Sequence, residues 1–150
     1  MSGDTMGDVR KLVMTIDHLN EFIEHEFPQA MPENSGFAIV DVFGGGCLVR
    51  LSPTEDHLRP GGTVSGPSLF TLADCACYFA ILAHIGPVGL TVTTNLNINF
   101  MHKAAPGPID CTATLLKLGK RLAVVDAQMT DHRGTLISQA TATYSIPAQS

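Results

Sequence analysis

One long apolar segment limits what this chain can fold into. Between residues 69 and 83 almost every residue is Leu, Phe, Ala, Cys, Tyr or Ile, and the single charged side chain is Asp74. Pro67 near its start and the glycines after Ile85 are typical helix boundaries, so the segment predicts a helix with Gly66 as its cap. A helix that is apolar all round must be covered on most sides. The rest of the chain therefore has to wrap around it.

The segments on both sides of this helix have the patterns of β-strands. "FAIVDVF" and "CLVRLS" surround a run of glycines and predict a hairpin, and the turns "LGKR" and "DHRG" join three later strands in a meander. A short amphipathic helix capped by Thr15 comes first. Between the long helix and the meander, "LTVTTNLNINF" alternates strictly and predicts a strand with one buried face, made of Leu90, Val92, Leu96, Ile98 and Phe100. Together these elements predict an α+β domain in which one antiparallel sheet curls around the long helix.

Length and charge bear on the domain organisation and the partners. The 150 residues suit a single domain, predicted at 15–150 after a loose leader at 1–14. Only 15% of the residues are charged, below the usual level of about a quarter, so we expect part of the surface to be buried by partner subunits. The net charge of −5 argues against a nucleic acid or an anionic membrane as a partner.

The same composition bears on compartment and metal content. The first residues lack the apolar core of a signal peptide, and the apolar run contains a charge, so we expect neither secretion nor a membrane span. The four cysteines are then expected to be free thiols in a reducing cytoplasm. The six histidines are scattered without the spacing of metal ligands, which predicts that no metal is bound.

Three stretches carry a family resemblance. They are the small-residue turn into "SLFTLADCA", the strand "TVTTNLNINFMHKAAPG", and "LLKLGKRLAVVDAQMTDHRGTLISQATATY". In this order and spacing, over residues 37–146, they resemble the hotdog-fold thioesterases, especially the phenylacetate-pathway group of acyl-CoA thioesterases. The resemblance implies the hotdog fold, a curved sheet wrapped around one long helix. It also implies homodimers that often pair into tetramers, and no cofactor beyond the coenzyme A of the substrate.

The motif of that family before the helix is His-Gly-Gly, then six residues, then a catalytic Asp or Glu. Here Ser65, Gly66 and Pro67 precede Asp74 at that spacing, so the carboxylate and the first glycine are retained while the histidine is replaced by serine. The resemblance therefore implies that Asp74 is catalytic. The alternative is a buried structural carboxylate bonded to a backbone amide or to Thr71. Ser65 either donates to the thioester oxygen or only caps the helix.

Two further positions follow from the same resemblance. Arg59 stands where the family often has an asparagine, and it orients water or substrate, binds a phosphate, or is a solvated loop charge. Thr93 stands where a Ser or Thr helps to hold the attacking water, and the alternative is an ordinary strand threonine. For the phosphates of coenzyme A, a net-acidic chain needs local basic residues, and Lys120, Arg121 and then Lys103 are the candidates unless they are simply solvated.

Helix geometry adds a constraint on the site. The first amides of a helix are unpaired and can stabilise a developing oxyanion, and Gly66 lets a carbonyl approach them closely. Asp74 lies eight residues further along, which is about 12 Å on a helix. The two cannot reach one carbonyl carbon within a single chain. If both serve one active site, that site is shared between two subunits.

The sequence thus predicts an acyl-CoA thioesterase that releases a carboxylic acid and free coenzyme A. The main alternative is a hotdog protein that binds acyl-CoA without turnover, and a dehydratase is disfavoured because no histidine precedes the helix. Phe70, Tyr78 and Phe79 either line an acyl pocket or belong to the core. The resemblance favours aryl or short-to-medium acyl groups. Whether Asp74 attacks directly or activates water stays open at this stage.

Overall fold

A helix of 20 residues, α2 (Gly66–Ile85), lies at the centre of the fold. The structure, a computed structural model, describes residues 10–149. Within that range α2 contacts all six strands of a single antiparallel sheet, which therefore wraps around it. The apolar helix predicted from the sequence is confirmed, together with the α+β class.

The sheet is built from strands whose order differs from the chain order. The strands are β1 (Phe37–Phe43), β2 (Gly46–Leu51), β3 (Val92–Phe100), β4 (Ile109–Leu118), β5 (Leu122–Asp131) and β6 (Leu136–Ser145). Their spatial order is β1-β2-β4-β5-β6-β3. The last three strands form the predicted meander, but β3 pairs with β6 and not with β4. It therefore forms one free edge of the sheet, with β1 at the other.

The core explains why α2 has almost no polar face. Alternate residues of β2, β4, β5 and β6 point inward onto the helix and are fully buried, among them Val49, Cys111, Val125 and Ala140. The helix contributes small residues that allow close approach of the sheet and large ones that fill the space between. Its length and apolarity would also suit a membrane span, but 72% of its most apolar window is buried inside the protein. The apolarity of α2 is therefore that of a core helix.

Side-chain caps define where the two helices begin. Helix α1 (Ile16–Glu26) starts after Thr15, whose side chain accepts a hydrogen bond from the amide of His18, as predicted. Helix α2 starts one residue earlier than predicted. Its N-cap is Ser65 and not Gly66, because the Ser65 hydroxyl can accept the amide of Ser68 while glycine has no acceptor to offer.

The N-terminal segment continues from residue 10 into α1. The amides of Val13 and Met14 donate to the carbonyl of Ala83 at 2.7 and 3.2 Å, and Met14 is buried. The first nine residues of the predicted leader lie outside the described residues. The part next to α1 therefore packs against the end of α2.

The prediction of a buried face on β3 is wrong for most of the strand. Leu96 and Ile98 are half-buried, but Leu90, Val92 and Phe100 are 78%, 51% and 56% exposed. One cause is a bulge between Thr93 and Asn95, which breaks the strict alternation. The other is the edge position, which leaves the ends of the strand without a covering element. The free edge of β3 is therefore more apolar than a solvent-facing edge normally is.

Candidate active site

Asp74 is half-buried on α2 and is held by two hydroxyl groups. The hydroxyl of Thr93 on β3 donates to its Oδ1 at 2.8 Å. The hydroxyl of Tyr144 on β6 donates to the same oxygen and stands 2.8 Å from the backbone carbonyl oxygen of Asp74. Among the residues that the structure describes, none donates a hydrogen bond to Oδ2. The alternative pairing with Thr71 or a backbone amide is not what this structure shows.

A cavity of about 480 Å³ opens beside this carboxylate, and we call it the Asp74 cavity. Its walls come from the 3-10 turn after α1, from α2 and from the start of β3, and they include Phe27, Ala30, Cys75, Tyr78, Thr91 and Thr93. The rings of Phe27 and Tyr78 meet edge to face, with centroids 5.9 Å apart. Of the three aromatic residues proposed as an acyl lining, only Tyr78 borders the cavity. Phe79 is fully buried in the core, and Phe70 is 40% exposed elsewhere on α2.

A second cavity of about 510 Å³ lies at the N-terminus of α2, and we call it the Gly66 cavity. Arg59, Gly66, Phe100 and Lys103 all line it, so the structure brings together two basic residues and the first amide of the helix. A side chain at position 66 would place its Cβ 3.3 Å from the ring of Phe100. Glycine therefore keeps open the space in front of the helix end.

The remaining predicted site residues lie close to these cavities or apart from them. The Ser65 hydroxyl accepts from the amide of Ser68 at 3.3 Å and donates to its hydroxyl oxygen at 3.0 Å, so it acts as a helix cap here. Lys120 and Arg121 are exposed on the turn between β4 and β5 and line neither cavity. Arg121 donates through Nε to the carbonyl of Ile146 at 3.0 Å.

The two cavities lie at opposite ends of β3. Val92 and Thr93 at its start border the Asp74 cavity, and Phe100 at its end borders the Gly66 cavity. Since Gly66 and Asp74 are eight residues apart on one helix, they are separated by about 12 Å along its axis. Within one chain the Asp74 carboxylate and the N-terminus of α2 therefore border different cavities.

Burial controls which groups near Asp74 can ionise. It raises the pKa of the Cys75 thiol in the Asp74 cavity to about 12, with a further contribution from the Asp74 charge. Burial also raises the pKa of Tyr144 well above its usual range, and Cys77 and Asp74 add to that effect. At neutral pH the thiol is therefore not a nucleophile, and the Tyr144 hydroxyl keeps the proton that it donates.

Tyr144 is the site residue that the sequence reasoning missed. Its signal was weak but present, since it is a large side chain that follows the small inward residues Ala140 and Ala142 on β6. A tyrosine at the end of such a series needs a partner for its hydroxyl when it is buried. Across residues 10–149 there is no group of three or more His, Cys, Asp or Glu side chains that could hold a metal ion.

Comparisons with known proteins agree with this architecture. Residues 61–138 match the model of the family described as the thioesterase superfamily. A crystal structure of a putative thioesterase from Silicibacter sp. TM1040 is 42% identical, with a TM-score of 0.82, and the match covers 93% of this chain and 96% of that one.

Two more distant relatives extend the likeness. A curated protein of Thermoplasma acidophilum, named as a putative esterase, is 26% identical over 75% of this chain and 85% of its own length. A point mutant of the phenylacetic acid degradation protein PaaI from Thermus thermophilus is 23% identical with a TM-score of 0.67, covering 77% of this chain and 96% of that one. At that identity the second likeness concerns the fold alone. The predicted hotdog fold is confirmed by these structures.

Proposed function

Because this chain belongs to the thioesterase superfamily and has the hotdog fold, we propose that it hydrolyses acyl-CoA thioesters to a carboxylic acid and free coenzyme A. The superfamily and the esterase names of the relatives support hydrolase activity in general. The observation that carries the finer proposal is the Asp74 carboxylate, held by two hydroxyls at the wall of a cavity large enough for an acyl group. Nothing in this role requires a metal or a cofactor other than the coenzyme A of the substrate.

The chemistry proposed for Asp74 is general base catalysis. A water molecule in the cavity donates one hydrogen bond to Thr93, whose hydroxyl oxygen is free to accept because its own proton goes to Asp74. The second proton of the water moves to the Asp74 carboxylate as the water oxygen attacks the thioester carbon. When the tetrahedral intermediate collapses, the carbon–sulfur bond breaks and the departing thiolate takes that proton. The products are the acid and coenzyme A.

The oxyanion formed in this step needs donors from a second subunit. The free backbone amide of Gly66 at the start of α2 is suited to this role, since the positive end of the helix dipole lies there. Within one chain, however, Gly66 borders the Gly66 cavity and Asp74 borders the other one. If two β3 strands pair antiparallel about Leu96, the Thr93 end of one meets the Phe100 end of the other. The Asp74 cavity of one subunit then faces the partner's Gly66, and the dimer has two identical sites.

The exposed surface supports the same assembly. Leu90, Val92, Phe100 and Met101, which flank or end β3, are between 45% and 78% exposed in the single chain. Pairing of the β3 edge would cover them and satisfy its free backbone groups. We therefore propose a homodimer, which can pair further into a tetramer. The free thiols found among the described residues suit a reducing cytoplasm.

The phosphates of coenzyme A are proposed to lie at the Gly66 cavity. Arg59 and Lys103 line it, and both carry charges of the sign that a phosphate requires. Lys120 and Arg121 are the second candidate pair, at the other end of β3. They lie near the start of β3 because Leu122 and Val92 both pair with Ser145. For the acyl group, the edge-to-face pair of Phe27 and Tyr78 favours an aryl or short-to-medium chain.

The test is hydrolysis of a panel of acyl-CoA substrates by the wild type and by Asp74→Asn. The panel contains phenylacetyl-CoA, benzoyl-CoA and short to long aliphatic acyl-CoA, with the carboxylic acid and coenzyme A separated and identified by chromatography. We expect turnover by the wild type and a loss of about a hundredfold or more in the variant, in line with general base catalysis. Asp41→Asn, an exposed carboxylate on β1, is the matched control and should retain full activity.

A non-catalytic role is the alternative outcome. If the wild type turns over no substrate in the panel but binds one of them in calorimetry, the chain is an acyl-CoA-binding protein. Equal activity of the wild type and Asp74→Asn would remove Asp74 from the mechanism.

A further inference from the structure

We propose that Tyr144 is a positioning residue which, together with Thr93, fixes Oδ1 of Asp74 and leaves Oδ2 as the oxygen that takes the proton. This inference rests on the proposed function and deepens it, because it names the reacting atom and a residue that acts through Asp74. Tyr144 does not border the Asp74 cavity. Its effect on the reaction is therefore exerted through the carboxylate.

The sheet register places the two hydroxyls on the same oxygen. Thr93 of β3 and Tyr144 of β6 are directly paired residues, and both lie beneath the same turn of α2. Tyr144 is only 1% exposed, so its ring is fixed by the core around it. The bulge that follows Thr93 changes the direction of the strand at this point. Two neighbouring strands thus deliver one donor each to a single carboxylate oxygen.

The two carboxylate oxygens of Asp74 differ in the hydrogen bonds that they accept. A carboxylate oxygen has two good lone-pair directions, so donors from Thr93 and Tyr144 occupy Oδ1. Within residues 10–149, Oδ2 of Asp74 receives no hydrogen bond. Asp74 lines the cavity in which the water would lie. The oxygen without a partner is the one that can accept a proton from water. The two hydrogen bonds to Oδ1 keep the carboxylate plane from rotating.

The phenol is suited to this role for a second reason. A hydroxyl has one proton, and donation to a charged carboxylate is stronger than donation to the nearby backbone carbonyl. Burial raises the pKa of Tyr144 and so keeps that proton in place over the whole pH range in which the protein would work. The donor is therefore present in every turnover and does not exchange roles with Asp74.

The test compares Tyr144→Phe and Thr93→Val with the wild type, using the acyl-CoA of the panel that the wild type hydrolyses fastest. Each variant should lower kcat by about 10- to 100-fold, as expected for a misplaced catalytic group, while KM changes by less than about threefold. Thr93→Ser keeps a hydroxyl and should recover most of the lost kcat. Thr94→Val is the matched control, because the Thr94 hydroxyl donates to the carbonyl of Thr143 at 3.2 Å and does not touch Asp74.

A double variant shows whether Tyr144 acts through Asp74. In the Asp74→Asn background, Tyr144→Phe should cause no further loss, because residues that act as one unit are not additive. A kcat at the wild-type level in Tyr144→Phe, with Asp74→Asn inactive, would overturn this inference and leave the proposed function standing. An active Asp74→Asn would instead remove the proposed function. If Tyr144→Phe does not fold, 3-fluorotyrosine placed at position 144 keeps the ring and changes the strength of the hydroxyl donor, and an unchanged kcat in that protein would overturn the inference.

Discussion

Asp131 is a single carboxylate that ties two segments to one end of the sheet. It is buried, and its oxygens accept the amides of Ala105, Arg133 and Thr135 at 3.0, 2.9 and 3.1 Å. The hydrogen bond from Ala105, followed by those of the other two amides, lowers the pKa of Asp131 below its usual value of 3.8. The residue therefore holds both the turn between β5 and β6 and the chain that leaves β3 next to the Gly66 cavity.

Asp131→Asn should destabilise the protein in a pH-dependent way. A carboxylate whose folded pKa is lowered contributes stability that is complete above its unfolded pKa and is lost as the pH falls through the folded pKa. The difference between wild type and variant should be largest at pH 7 and should shrink below about pH 4. Urea unfolding of both proteins at pH 7 and pH 3 measures it. A difference that is constant over this range would mean that the charge of Asp131 contributes nothing.

At the scale of single residues, the sequence predicted some roles and not others. Asp74 could be named as a candidate because a charge in an apolar helix is unusual and because its spacing from Gly66 matches a motif of the family that the sequence resembles. Tyr144 could not, because it lies 70 residues away and meets Asp74 only when β6 has this register against β3. The cap role of Ser65 needed the geometry of the first turn of α2. A local sequence pattern shows which residue types occur at which spacing. Contacts between residues that are distant in the chain can be identified only once the fold is known.

Among the elements, the proposed role of the first turn of α2 in binding the oxyanion can be tested by adding one methyl group at Gly66. Gly66 has a helical backbone, and the exposed ring of Phe100 has room to shift by the few tenths of an ångström that a new Cβ requires, so Gly66→Ala should keep or slightly raise stability, by about 0.4–1 kcal/mol. Its new Cβ would stand 3.3 Å from the ring of Phe100 and would obstruct the space in front of the helix amide. We expect activity to fall at least about tenfold, since small displacements at a reacting carbonyl are costly.

The readouts for Gly66→Ala are the melting temperature and kcat/KM on the same preparation. Pro67→Ala changes the next residue of the same turn without filling that space, and it should retain activity. A loss of activity in both variants, or a lower melting temperature in Gly66→Ala, would point to a damaged helix start and not to blocked approach.

The elements differ in how much of them a sequence pattern can predict. Strands β4 and β5 run over Ile109–Leu118 and Leu122–Asp131, as the alternating pattern and the "LGKR" turn predicted. The place of β3 was not predicted, because alternation says which face is apolar but not which strand is the neighbour. Its bulge and its edge position together account for the exposed residues that the pattern assigned to the core.

For the whole molecule, the proposed shared site predicts that two impaired variants restore each other's activity when their subunits are mixed. Mixing Asp74→Asn with Gly66→Ala under conditions that exchange subunits gives hybrid dimers with one site that has both native residues. Random pairing makes half of the dimers hybrids, so about a quarter of the wild-type activity should return. Recovery after mixing, measured against each variant treated alone, is the readout. No recovery in a preparation whose hybrids are detected by mass spectrometry would place the site within one chain.

The high thiol pKa values have a consequence for redox exchange. The proposed product is itself a thiol, and its oxidised forms exchange only with protein thiolates. A cysteine with a pKa of about 12, as at Cys47 and Cys75, is ionised in roughly one molecule in 10⁵ at pH 7. Burial also raises the pKa values of Cys77 and Cys111 well above the usual value for a thiol. If the protein releases coenzyme A beside Cys75 as proposed, a disulfide formed from that product would therefore exchange only very slowly with the protein's own cysteines.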